Sequence, residues 1–461
     1  MCAARETISP SLGLNDASNF RFLFAGKCDK ISGVDDLEEW KRIVQSIGSF
    51  KMLDVWPLVC SILAAILHLG ELDFKEIPFD HEDGGMVKRD SEQVVTSFSH
   101  VCSLLGLEGE ALEQGLCTRS YTASKVKRGS LSKRVLKIHE CYASRDSIAK
   151  ILYATLFDWL MGRINGSFKA QSDVSRLNLL DLPGFEFNQG NNNNNSLEQL
   201  TINYCNEKMQ YFFLKVCCDQ ELALYTAEGL AISSISWENP YDQDQPGIMD
   251  LIEGKTGIFS LMVEESRLLN PSNAHLASSI NYYNGKNAAL SNVRKFYLKN
   301  DEAFVIDHFA GQVCYKISSF VEKNNASIHP DIMQMFANSA NPLIREMFDP
   351  LHDVSAFSED DSSGSNSKRS EASIVTSFKT QLGTLMDSLA KSKTLFIRCI
   401  KPNELKTPLK FADGLVLGQL RASGLLQAFQ LMADGYPCRI SLKDLEFMQV
   451  LIILLLIWAL N

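Results

Sequence analysis

A short apolar run that ends on an acid, turns and leads into a long capped helix constrains this chain more than anything else in it. Leu177–Leu180 (LNLL) stops at Asp181, and Pro183-Gly184 follow at once. That pattern predicts a buried strand delivering a carboxylate into a tight turn. Asn191–Asn195 is low-complexity and too polar to pack, so a surface loop is expected there. Ser196 then precedes an apolar-periodic run from Leu197 to about Cys218, and Gln199 stands three residues on. Ser and Gln at that spacing predict a capping box, hence a strong helix. An acid at a strand's end, followed by Gly, is how phosphate-handling α/β proteins hold Mg²⁺ and a terminal phosphate. The carboxylate reaches the hydrated metal, and a Gly amide approaches the phosphate closely. Taken alone, an Asp before Pro-Gly is more often only a turn.

The remaining chain is a patchwork of helical and strand-like segments. Residues 40–70 predict a helix pair, Val94–Leu116 a second helical block, and Ser144–Gly166 a long amphipathic helix stopped by Asn-Gly. Between the last two lies Arg119–His139, an exposed loop or ribbon with seven Lys/Arg and no acid. Phe304–Tyr315 alternates about an Ala-Gly turn, which predicts a hairpin. Phe357–Ala372 runs from acidic through Ser/Gly-rich to basic and is the clearest linker. Leu382–Leu389 predicts a helix, and Leu395–Ile400 a strand stopped by Lys401-Pro402-Asn403.

At 461 residues the chain exceeds the usual single-domain size, so several domains or one large multi-lobed body are expected. With 45% hydrophobic and 22% charged residues it is neither disordered, collagenous nor a disulfide scaffold. A formal charge of −10 argues against a nucleic-acid-coating protein while leaving local basic patches open. The 12 cysteines are scattered with no C-x-x-C pair, and Met1–Ile8 has no apolar core. Reduced thiols in the cytoplasm are the simplest expectation. The uncharged stretch Phe447–Leu460 is 14 residues long. As a helix it spans about 21 Å, short of the roughly 30 Å hydrocarbon core, so a membrane anchor is not favoured. A buried helix or a tail foreign to the rest is preferred.

The hexapeptide Asp181-Leu182-Pro183-Gly184-Phe185-Glu186 resembles switch II of the myosin motor domain, with Leu-Pro at its variable centre. It leads into Ser196–Phe213 (SLEQLTINYCNEKMQYFF), which is similar to that family's relay helix. The resemblance continues in order through nearly the whole chain. It includes Ala64–Gly70 (AAILHLG), Arg145–Lys150 (RDSIAK), Gly257–Asn273 (GIFSLMVEESRLLNPSN) and His308–Tyr315 (HFAGQVCY). Phe320–Asn324 (FVEKN), Phe396–Asn403 (FIRCIKPN) and Gln419–Ile440 complete it. EESRLLNPS and Ile202–Glu207 (INYCNE) are similar to class VI, whereas the Asp-Leu-Pro switch II points to a more divergent class, so the class stays open.

The resemblance implies a fold and a set of roles. The fold expected is α/β, a P-loop-NTPase-like myosin motor head, mostly helical, with an incomplete central transducer sheet. Residues 1–18 show little resemblance; 19–175 correspond to an upper 50K-like lobe, 176–190 to switch II. Residues 191–356 correspond to the relay helix, lower 50K-like lobe and transducer hairpin, and 357–372 to loop 2. Residues 373–445 correspond to an actin-side helix, a strand and the thiol helices, and 446–461 to an apolar non-homologous tail.

Asp181 would lie in the second shell of Mg²⁺, with no direct metal ligand from this chain, and Gly184 would contact the γ-phosphate of ATP beside Phe185. Glu186 would pair with an arginine of switch I. Asn203, Glu207 and Phe213 on the relay helix, with Gly424 and Gly435, would form the relay and fulcrum. F-actin would meet Lys125, Lys127, Arg128, Lys133 and Arg134 of the ribbon. It would also meet Leu268, Leu269 and Pro271 of the helix–loop–helix, and Lys368 and Arg369 of the linker. Solvated charge or ordinary core packing are the plainer alternatives at these positions. Ser130, sixteen residues before Asp146 in a Lys-Arg-Gly-Ser context, fits a phosphorylatable position.

Several family features are missing. No G-x-x-x-x-G-K-[ST] phosphate loop occurs, no switch I precedes Asn19, and Ala422 and Met432 replace the reactive thiols. Without a phosphate-loop strand, the strands expected at 177–181 and 395–400 lack a ladder neighbour, exposing backbone and apolar faces. The function expected is a fragment of an unconventional myosin motor in the cytoplasm, on the actin cytoskeleton, not itself ATPase-competent. The alternative is a nucleotide-incompetent actin-binding scaffold. A light chain or calmodulin is expected only in a longer parent carrying an IQ helix, and neither nucleic acid nor membrane is an expected partner.

Overall fold

The computed structural model describes residues 1–28, 30–79, 82–122, 131–168, 177–186, 195–230, 247–268, 270–324, 329–349, 373–405, 407–433 and 440–450. It divides into two compact units, Met1–Leu177 with Ala326–Ala372 and Asn178–Asn325 with Ser373–Asn461.

In the first unit, α1 (Arg21–Phe24) and α2 (Asp36–Ser49) precede α3 (Trp56–Gly70), the most buried helix. Pro57 starts α3 where a missing N–H costs nothing. Ile62, Ala64, Ala65 and Leu69 are fully buried, and the two alanines let neighbouring helices approach. The hairpin β1 (Phe74–Phe79) and β2 (Glu82–Val87) leads to α4 (Glu92–Leu105) and α5 (Gly109–Cys117). The helical block expected over 94–116 is thus two helices. They break at Gly106, whose φ of +60° and close approach to the Asn341 amide (2.5 Å from a would-be Cβ) admit only glycine. The basic segment forms an antiparallel ribbon, β3 (Thr118–Thr122) and β4 (Leu131–Val135), before the 30-residue helix α6 (Ile138–Ser167). Later in the chain, α12 (Pro330–Ala337) and α13 (Pro342–Phe348) contribute Phe336, Ile344 and Phe348 to the same core.

In the second unit the predicted capping box is present: Ser196 and Gln199 cap α7 (Leu197–Ala227), nine residues longer than the sequence reading. Short helices α8 (Ile248–Glu253), α9 (Ile258–Ser266) and α10 (Asn273–Tyr283) follow. A three-stranded antiparallel sheet then forms from β5 (Leu290–Ser291), β6 (Ala303–His308) and β7 (Gly311–Lys316). The hairpin sits where alternation predicts it, with Phe304, Ile306, Val313 and Tyr315 in the core beside Leu200, Tyr204 and Phe320. The unit also contains α11 (Phe320–Asn324), α14 (Ile374–Ala390), α15 (Asp413–Ala422) and α16 (Leu425–Ala433).

Four expectations are corrected. Leu177–Leu180 is neither a strand nor buried: Leu177 is 89% and Leu179 91% exposed. Leu395–Ile400 is likewise irregular, with Leu395 80% and Ile397 85% exposed. Among the described residues neither segment has a strand beside it. With no strand beside it among the described residues, an apolar run has no ladder in which to bury its backbone groups, and they stay in contact with water. Asn195 is buried rather than in a surface loop: it forms an isolated parallel bridge with Tyr315, and its Nδ2 donates to the Cys314 carbonyl at 3.0 Å. Asn191–Asn194 lie outside the described residues. Finally, the helix over 442–450 is exposed along its length, so the start of the apolar tail is not a buried helix.

Candidate functional site

The turn Asp181–Glu186 is irregular but anchored on one side. Leu182 and Phe185 pack against the core, and Phe185 meets the His308 and Phe309 rings edge-on at 5.1 and 5.6 Å. The Pro183 carbonyl accepts from Asn206 Nδ2 at 3.0 Å. Glu186 is gripped through its backbone: its N–H donates to Asn203 Oδ1 (2.8 Å) and its carbonyl accepts from Asn203 Nδ2 (2.7 Å). Gln199 Nε2 reaches the Glu186 carboxylate at 3.4 Å. Asp181 and Gly184 are exposed, and among the described residues, its chain neighbours aside, no atom lies within 4 Å of where a Gly184 Cβ would stand.

From Asn203 a hydrogen-bonded chain enters the core. Asn203 Nδ2 also donates to the Tyr315 hydroxyl (2.8 Å), which lies 2.8 Å from His308 Nε2. His308 Nδ1 is 2.9 Å from Glu207 Oε1, and that oxygen also accepts the Phe309 N–H at 3.1 Å. Asn203, Glu207, His308 and Tyr315 are all buried. Because Asn203 Oδ1 accepts from the Glu186 backbone amide, its other end donates to the Tyr315 hydroxyl. His308 lies between that hydroxyl and Glu207, one ring nitrogen facing each. Burial raises the Tyr315 pKa, and Glu207 pushes it the same way, so the phenol keeps its proton.

Asn203, Glu207 and Gln210 recur at i, i+4 and i+7, a buried polar stripe along one face of α7. Its far end meets Gly424: Gln210 Nε2 donates to the Gly424 carbonyl at 3.2 Å. Gly424 has φ +66° and separates α15 from α16. Any Cβ there would collide with the Gln210 amide, so both conformation and space demand glycine. Phe213 contacts Phe396 edge-on at 4.9 Å, with Leu214 and Ala428 buried alongside. Arg398 lies over the Phe213 ring at 5.2 Å, and burial lowers its pKa. Gly435 lies outside the described residues.

The helix–loop–helix is held by one buried acid: Glu265 accepts the Ser272 amide at 2.7 Å and meets His275 Nδ1 at 2.6 Å. Leu268 is half exposed and Pro271 exposed at its tip, while Leu269 is outside the described residues. On the ribbon, Lys133 and Arg134 are exposed yet engaged, with Gln114 (2.9 Å) and Glu140 (2.7 Å) respectively. Arg119 turns inward to the Gly115 and Thr118 carbonyls and Ser144 Oγ. Lys125, Lys127, Arg128, Ser130, Lys368 and Arg369 lie outside the described residues.

Against known families, residues 1–456 match the myosin head (motor domain). The chain belongs to the myosin head family. It is similar to Myosin heavy chain 95F of Drosophila melanogaster, 36% identical over 424 residues, covering 90% of this chain and 32% of that protein. Unconventional myosin-VI of Homo sapiens is 36% identical over 481 residues, 96% of this chain and 36% of that protein. Myosin-52 of Schizosaccharomyces pombe is 32% identical over 434 residues, 92% of this chain and 27% of that protein. This myosin head chain thus spans about a third of the length of these relatives.

For Mg·ATP the residues of this myosin head fit in part. An exposed carboxylate at Asp181 and open space at Gly184 suit a metal shell and a phosphate, while no phosphate-loop motif occurs in the sequence. His308, Tyr315, Gln210 and Phe396 are members of the site that sequence reading missed. The polar i, i+4, i+7 stripe on the otherwise largely apolar buried face of α7 is the signal that marks Gln210. For the other three, only a tertiary partner reveals the role.

Proposed function

We propose that this chain is the phosphate-sensing and actin-facing part of a myosin motor, in which closure of the Asp181–Glu186 turn displaces α7. Bound Mg·ATP would supply the charge that orders the turn, held by Asp181 and the Gly184 amide. The chain's own residues do the rest. Movement of Glu186 pulls on both ends of the Asn203 amide, and Asn203 is rigidly wired to Tyr315, His308 and Glu207. The displacement therefore passes to the helix rather than being absorbed in the loop. At the far end the Gln210–Gly424 contact and the Phe213–Phe396 packing form the pivot. Glu186 remains exposed for an arginine partner, and Leu268 and Pro271 offer the apolar contact to actin, with Lys133 and Arg134 steering it electrostatically. The observation that carries this reading is the double hydrogen bond between Glu186 and Asn203.

The second reading is an actin-binding scaffold without nucleotide turnover. It is favoured by the exposed apolar segments 177–180 and 395–400. Co-sedimentation of the 461-residue chain with actin filaments, with and without Mg·ATP, separates the two. Release by ATP is the result expected of a motor, ATP-indifferent binding that of a scaffold, and failure to bind filaments overturns both.

A further inference from the structure

Two stacked histidines clamp the segment that runs up to α1. Pro10–Leu12 and Ala17–Asn19 are single turns on either side of Gly13. His68 of α3 places Nε2 2.9 Å from the Leu12 carbonyl, and a carbonyl only accepts, so this nitrogen carries the proton. His100 of α4 stacks on His68 with ring centroids 4.5 Å apart and planes 14° from parallel. Gly13 lies directly on the second ring: its φ is +60°, and a Cβ there would stand 2.6 Å from His100 Nε2. Phe20 meets His68 edge-on at 5.7 Å. Nδ1 of each histidine is buried without a hydrogen-bond partner among the described residues.

We propose that the His68–His100 stack is an acid-opened latch: with both rings neutral it holds the Leu12–Phe20 segment on α3 and α4, and protonation releases it. The cause is a shortage of acceptors. A second proton on His68 must go to Nδ1, where no acceptor waits, and a charge on both rings sets two cations 4.5 Å apart. The charged groups nearby are engaged elsewhere. Glu71, just past the end of α3, accepts the Arg21 N–H at 2.7 Å and Gln93 Nε2 at 3.1 Å. The Arg21 guanidinium of α1 pairs with Asp73 at 2.6 Å, and Arg145 of α6 donates to the Leu72 carbonyl at 2.9 Å. Within the segment, Asp16 pairs with Arg5 at 2.8 Å. Glu92 of α4 is exposed in the wall of a cavity of about 540 Å³ beside the stack, lined also by Gly13, Asn19, His68 and His100. Among the described residues none of these groups hydrogen-bonds to either imidazole. When the segment lifts, both rings meet water and the Glu92 side of that cavity, and the cost of a proton disappears. Burial holds the His68 pKa below its ordinary value against the bond to Leu12, and His100 lowers it further, so proton uptake belongs to the open form.

The test is hydrogen exchange of the full chain between pH 7.5 and 5.5, read by mass spectrometry as protection factors so that the intrinsic pH dependence drops out. An imidazole that is neutral when closed and ordinary when open favours opening about tenfold at one pH unit below its usual value of about 6.5. Peptides covering Leu12–Arg21 should therefore lose protection about tenfold over that range. The middle of α6 in the same unit, around the fully buried Ile148 and Leu152, should keep its own. A double variant, His68→Gln with His100→Phe, keeps a donor for Leu12 and a ring under Gly13 but has no proton site. Its loss should stay below about twofold. The latch is overturned if the parent segment changes by less than about twofold, or if the double variant loses as much as the parent. It is overturned equally if α6 and the segment fade together, as in plain acid unfolding. The parent chain alone supplies the first and last of these outcomes, so the matter is decided even if the variant does not fold.

Discussion

The two flanks of the Asp181–Glu186 turn differ as sharply as any two neighbouring segments of this molecule. On the C-terminal side, Phe185 packs on the His308 ring and Glu186 is bound to Asn203, which joins it to the buried Tyr315 and His308. On the N-terminal side, Leu177 and Leu179 stand almost fully in solvent. Both flanks are apolar in sequence, but only one has partners. Hydrophobicity supplies the drive to bury a segment, while the backbone groups of an extended segment also need a neighbouring strand.

The contrast is most severely tested by Phe304→Ala. Phe304 is fully buried, stacked on Tyr315 at 5.3 Å and edge-on to Phe320 at 5.9 Å. Removing it should cost about 3–5 kcal/mol in chemical denaturation, the usual loss for an emptied aromatic core site. A loss below about 1 kcal/mol would mean that the hairpin core is loose and the contrast between flanks is overstated. Next in size is Asn203→Ala, which strips the turn from α7 and leaves the Glu186 amide without its acceptor. Unfolding should become easier by about 1–3 kcal/mol. Hydrogen exchange of the Glu186 amide should accelerate in step; unchanged exchange would show that the turn is held by something else.

A smaller effect separates two buried histidines. His308 has both nitrogens engaged, whereas His68 gives one nitrogen to the Leu12 carbonyl at 2.9 Å and its Nδ1 finds no partner among the described residues. Burial lowers the His68 pKa against the opposing hydrogen bond to Leu12, and charge repulsion from the neighbouring His100 lowers it further. The unfolded chain therefore takes up the proton first. Stability present above the ordinary imidazole value of about 6.5 is lost as pH falls below it, until the lower folded value is reached. Between about pH 7 and 5.5 the loss should be on the order of 1 kcal/mol. Urea midpoints of the parent chain and His68→Gln across that window check it, the variant being the flatter. Smallest is Leu179→Ser, expected to stay within about 0.5 kcal/mol because its side chain is already in water. A cost of several kcal/mol would place that segment in a packed strand and erase the comparison.

Much of the site was legible in advance, for reasons that differ by residue. The α7 start is local chemistry: Ser196 and Gln199 satisfy orphan amides within one turn, so four residues suffice to announce it. The hairpin was readable because its alternation and its Phe309-Ala310 turn lie within a dozen residues. The break at Gly424 was less so, since a glycine in a helical pattern is tolerated until a partner such as Gln210 occupies the space a side chain would need. The failure at Leu177–Leu180 and Leu395–Ile400 has a different origin. Each has the composition of a strand, and composition says nothing about who sits beside it.

The amino-acid order by itself determined where α7 begins, the alternating hairpin and the acid-turn-helix run that marks the family, because each depends on contacts within a few residues. Only the tertiary structure decided that Asn203 grips Glu186 and that Tyr315, His308 and Glu207 continue the same buried chain. Those depend on groups brought together from segments as much as 112 residues apart, as in the Asn203–Tyr315 bond. A donor's direction is set by whichever acceptor the fold places opposite it.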